Sequence, residues 1–103
     1  MIMNIDFAAM ADNVEQAEQI LKILANKNRL MILCSLQEGE LSVSELNEAV
    51  PLAQSALSQH LAALRKAEIV ATRRESQTIY YRVVDKSVMA ILETLHGLFC
   101  KGS

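Results

Sequence analysis

The chain has 103 residues, about one domain's worth, and 51% of them are hydrophobic against a formal net charge of −2. That balance excludes a disordered chain, and no apolar run approaches the roughly 18 residues of a membrane span. The opening residues lack a basic stretch followed by an apolar core, so no secretory signal is expected. The two cysteines, Cys34 and Cys100, lie far apart and suit a reducing, cytoplasmic compartment.

Residues 1–11 are expected to form a flexible N-terminal segment, and 12–103 a single domain. A first helix is predicted over about 12–25, where Ala17, Ile20, Leu21 and Leu24 recur at helical spacing and Asp12 or Asn13 can cap the start. A second runs from about 27 to 37, with Leu30, Leu33, Cys34 and Leu36 inward and Gly39 ending it. Ser42-Val43-Ser44-Glu45 reads as a capping box opening a short third helix, which carries Val43, Leu46 and Val50 toward the core. Pro51-Leu52 makes a turn.

A fourth helix covers about 53–66. Leu57, Leu61 and Leu64 form a narrow apolar stripe, and Gln54, Ser55, Ser58, Gln59 and Ala62 lie opposite. The period then changes from 3.6 to 2: Ile69–Thr72 and Ile79–Val83 read as strands, with Glu75–Thr78 as a hairpin tip. A last helix runs from Asp85 to about Cys100. The order is α-α-α-α-β-β-α, mainly α with a small β-hairpin. A short helix, a tight turn and a helix with a polar outer face make a helix-turn-helix, and the basic hairpin after it makes a wing.

Charge is unevenly distributed. Residues 1–64 carry Lys22, Lys27 and Arg29 against a larger number of carboxylates, whereas 65–86 gather Arg65, Lys66, Arg73, Arg74, Arg82 and Lys86. A local positive field matters more to a polyanion than net charge. Gln54, Ser55, Ser58 and Gln59 are short and can both donate and accept, as reading of base edges in a major groove requires. A merely solvated face would normally be rich in Lys and Glu. Arg65, Lys66, Arg73, Arg74 and Arg82 are placed to hold phosphates, and Gln77 at the tip to reach a minor groove; the same charges would also discourage edge-to-edge sheet pairing. His60, at the margin of the stripe, is expected half-buried, bonding backbone or phosphate. The first and last helices are the dimer candidates: the last is apolar over more than half its circumference, more than one small core needs, and part of each helix is expected to pack inward and the rest to pair across a two-fold axis. No glycine-rich phosphate loop, nucleophile with a spaced base, or carboxylate pair is present, so no enzyme is expected.

Three segments, Ala25–Leu33, Gln54–Arg65 and Thr72–Tyr81, resemble the ArsR/SmtB family of winged-helix regulators over nearly the whole chain. The resemblance implies a homodimeric regulator, usually a repressor, that an inducer releases from an inverted-repeat operator, and it implies that Gln54, Ser55, Ser58 and Gln59 face the major groove. Many relatives sense metal through Cys-x-Cys at the start of the third helix, where this chain has Ser42-Val43-Ser44. Others use Asp-x-His on the last helix, where it has Asp85-Lys86-Ser87, with His96 alone further on. Zinc needs about four N or S donors, so neither a metal nor any other cofactor is expected. Cys34 and Cys100 resemble the pair of the HlyU/BigR/SqrR branch, which implies sensing of oxidants or reactive sulfur through a dithiol. Taken alone, Cys34 reads equally well as a small buried hydrophobe. Ala53 stands where relatives usually place a serine cap.

Overall fold

The computed structural model describes residues 7–100. The elements are α1 (Phe7–Leu24), α2 (Lys27–Ser35), β1 (Leu41–Ser42), α3 (Val43–Ala49), α4 (Gln54–Lys66), β2 (Val70–Glu75), β3 (Thr78–Val83) and α5 (Lys86–Phe99). This is a winged helix-turn-helix of five helices, with one strand more than the sequence announces. The strand order is β1-β3-β2, antiparallel throughout.

The core lies where α2, α3, α4 and α5 converge. Ile32, Leu33, Leu46, Leu57, Leu61, Leu64 and Leu92 are each almost fully buried, with Tyr81 and Val83 of β3 packed against them. Burying a Leu or Ile side chain stabilises by about 1.5–3 kcal/mol, so the α4 stripe fixes which face of that helix turns outward. Asn47 Nδ2 donates to the Leu52 carbonyl at 2.9 Å, closing the turn between α3 and α4. Ser42 and Glu45 form the expected capping box: Ser42 Oγ accepts from the Glu45 amide at 3.2 Å, and Glu45 Oε1 accepts from the Ser42 amide at 2.8 Å. Asp85 caps α5 by accepting from the Val88 amide.

Several boundaries differ from expectation. Residues 1–6 of the expected flexible segment lie outside the described residues, but α1 already includes 7–11. Asp12 and Asn13 are therefore interior to α1 and cap nothing. Ala8, Ala9 and Ala11 favour helix strongly enough to carry it through them. The second helix stops at Ser35, and the chain reverses at Gly39, whose φ of +149° suits glycine. Cys34 is exposed, not inward: Ile32 and Leu33 take the core, and the next residue turns about 100° away from it. The strands extend further than the periodicity indicated, leaving Ser76-Gln77 as the two-residue turn, with Ser76 at φ +59°. β1 escapes notice because two residues carry no period.

The last turn of α4 closes with the Glu68 amide on the Arg65 carbonyl and the Ile69 amide on the Leu64 carbonyl, with Glu68 at φ +61°. That is a Schellman ending with glutamate where glycine is usual. Among its described side chains α1 buries only Leu24 and packs Ile20 and Ile23 partly against the core, while Val14 and Leu21 are 58% and 57% exposed. The radius of gyration is 15.7 Å, against about 13 Å for a compact chain of about 100 residues.

Candidate nucleic-acid interface and thiol groove

Burial of Leu57, Leu61 and Leu64 leaves Gln54, Ser55, Ser58 and Gln59 exposed together along the outer face of α4, as the sequence predicts. Ala53 supplies no side-chain cap, so the amides of the first turn of α4 have no side-chain acceptor from that position. His60 is half-buried on the flank of this face, and its Nδ1 accepts from Arg29 Nε at 3.3 Å. Arg65 and Lys66 are exposed at the C-terminal end of α4.

In the wing, Arg74 and Gln77 are exposed. Gln77, Thr78 and Ile79 share a cleft with Ser42, Val43 and Ser44, which sets the wing tip beside the start of α3. Arg73 is differently placed. Its guanidinium pairs with Glu40 (Nε to Oε1, 3.0 Å) and Glu75 (Nη1 to Oε2, 2.7 Å), and lies 4.6 Å from the centroid of Tyr80, its cross-strand neighbour. The two carboxylates push the Arg73 pKa above its ordinary value, and the Arg73 hydrogen bonds hold Glu40 below the usual carboxylate range. Glu40, just before β1, was not singled out from the sequence, because it lies far from Arg73 along the chain. Arg29 was missed as a partner of His60 for the same reason, since the two are far apart along the chain.

The two cysteines border the same groove although 66 positions separate them in sequence. Cys34 at the end of α2 and Cys100 closing α5 line one groove of about 680 Å³ with Leu30, Leu95, His96 and Phe99. Cys34 is open on one side. Its covered side is desolvated enough to push its thiol pKa up, and the like charge of a Cys100 thiolate pushes it the same way. Phe99 at 79% and Leu98 at 62% exposure leave the end of α5 bare. Among the described residues no group of three or more His, Cys, Asp or Glu side chains is gathered where a metal could sit, and no helix is long and apolar enough to cross a membrane.

A polar-faced helix seated by a tight turn beside a basic hairpin defines a DNA-binding regulator. Residues 26–72 match the model for bacterial regulatory proteins of the arsR family. The chain is 48% identical over 94 residues to the transcriptional activator HlyU of Vibrio cholerae, covering 91% of this chain and 87% of that protein. It is 41% identical over 96 residues to the biofilm growth-associated repressor of Agrobacterium fabrum, covering 93% and 82%. The solved structure of reduced HlyU from Vibrio cholerae superposes with a TM-score of 0.86 at 48% identity, covering 90% of this chain and 98% of that one. The chain belongs to the ArsR family and is a transcriptional regulator, not an enzyme.

Proposed function

We propose that this regulator binds a double-stranded inverted-repeat operator as a homodimer, and that oxidation or persulfidation of Cys34 and Cys100 switches its DNA affinity. The observation that carries the switch is the shared groove: two thiols from two helices line one cavity, one wall of it on α5, whose free end is apolar. Bridging them as a disulfide passes two electrons to an oxidant and releases two protons; bridging them as a trisulfide consumes two persulfide molecules, whose S–S bonds break, and releases two thiols and one hydrogen sulfide. Either bridge ties α2, which leads into the DNA-binding unit, to α5. A coupling of about 1–3 kcal/mol is enough to change DNA affinity 5- to 150-fold. The Vibrio cholerae relative, solved in a form described as reduced, supports a pair for which redox state matters.

In the same reading Gln54, Ser55, Ser58 and Gln59 read bases, with His60 at the backbone edge. Arg65, Lys66 and Arg74 hold phosphates, and Gln77 reaches the minor groove. Arg73, already paired with Glu40 and Glu75, sets the stance of the wing and contributes less to phosphate binding than Arg74. Val14 and Leu21 of α1 and Leu98 and Phe99 of α5 supply the apolar surface for the second protomer.

Operator binding by wild type, Cys34→Ser and Cys100→Ser, with and without persulfide or peroxide, tests the switch. Each single substitution is expected to leave reduced-state binding intact and to abolish the response. A response that survives in both variants makes the cysteines structural.

A further inference from the structure

The hydrogen bond between Arg29 and His60 joins α2 to the flank of α4 and plays no part in the core. Its chemistry is directional. A guanidinium has donors only, so the imidazole nitrogen that faces it carries no proton. His60 is thereby held as the neutral tautomer with its proton on Nε2, on the side of the ring away from Arg29. His60 follows Gln59 in α4 and is half-buried on the flank of the face formed by Ser55, Ser58 and Gln59, and the flank of a helix lying in a major groove meets the sugar-phosphate backbone.

A second observation concerns Arg29 itself. It occupies the first turn of α2, where Asn26 Oδ1 accepts its amide at 3.0 Å. A cation in the first turn opposes the helix dipole, so local helix energetics disfavour an arginine here. Its partner is on α4. Arg29 also shares the nine-residue α2 with Cys34, five positions on, so the joint links the thiol-bearing helix to the recognition helix.

We propose that Arg29 is a positioning residue for DNA docking: by donating to Nδ1 it fixes His60 as the Nε2–H tautomer and presents that single donor to a DNA phosphate. The proposal rests on α4 being the DNA-facing helix. It assigns Arg29 no DNA contact of its own.

The test uses the full chain and a duplex that the wild-type protein selects from random sequence. Long-range 1H–15N correlation of the histidine rings is expected to show His60 with Nδ1 bare and Nε2 protonated in wild type. In Arg29→Met, which keeps an apolar stem of similar length, Nδ1 loses its donor and the Nδ1–H tautomer is expected to become detectable beside Nε2–H. Affinity for the selected duplex is expected to fall about tenfold, the size of one hydrogen bond to a charged group. Arg29→Lys, which retains a donor, recovers most of both. His60→Ala loses a similar factor, and the double variant loses no more than either single one. A protonated Nδ1 in wild type overturns the proposal. So do additive losses in the double variant, or an Arg29→Met protein that binds within twofold of wild type. If Arg29→Met does not fold, the wild-type ring signals and the Arg29→Lys affinity still decide. A wild type with the expected tautomer that selects no duplex removes the DNA-facing reading of α4 and this proposal with it.

Discussion

The Arg73 guanidinium has three neighbours within the protein, Glu40, Glu75 and the Tyr80 ring, and this separates it from Arg74 although both looked alike in the sequence. Their clustering was legible; the partner at Glu40 was not, because pairing across β1 and the sheet is a tertiary fact. A pH test follows. Arg73 lowers the Glu40 pKa in the folded chain, so the stability this pair contributes is present above the ordinary glutamate value of about 4.3 and is lost as pH falls through the lower folded value. Wild type is therefore expected to melt above Glu40→Gln at pH 7, with the gap closing below about pH 4. A gap that widens in acid contradicts the pairing. The second residue-scale test is Glu68. Its φ of +61° at the end of α4 costs an L-residue what glycine avoids, so Glu68→Gly is expected to raise stability by about 0.5–1 kcal/mol in thermal melts.

Among the elements, α3, α4 and α5 were readable because each combines a helical apolar stripe with a definite start: the Ser42 capping box, the turn at Pro51, and Asp85. The outward face of α4 followed from Leu57, Leu61 and Leu64 alone. α1 was misjudged at its start, since alanines continue a helix through polar residues that would otherwise mark its beginning. Cys34 was misplaced because a nine-residue helix offers too few turns to show which of Ile32, Leu33 and Cys34 faces the core. Division of labour between α4 and the wing is testable by substitution. Ser55→Ala or Ser58→Ala is expected to relax preference at single base positions by about 1–3 kcal/mol of discrimination. Arg74→Ala is expected to weaken all sequences alike and to reduce the salt slope by about 1, with Arg73→Ala doing so by less. Quantitative binding to a panel of operator variants at several salt concentrations measures both effects.

At the scale of the molecule, the exposed apolar side chains of α1 and the bare end of α5 are the features that one chain alone does not explain. Val14, Leu21, Leu98 and Phe99 lie exposed, and the α5 part of this surplus was visible in the sequence as a last helix too apolar for one small core. What would cover it was not visible, because a sequence does not say which apolar residues a second copy would take. Leu21→Glu is expected to shift sedimentation from dimer to monomer and to remove operator binding without changing the helical circular dichroism of the rest of the fold. The most direct measurement is footprinting of the reduced protein on its selected operator, because the α4 faces of a two-fold dimer must enter successive major grooves. Two protected half-sites related by inversion, their centres about 34 Å or one helical turn apart, are the result expected. Protection of a single half-site by one protomer, or uniform protection without sequence preference, would contradict it.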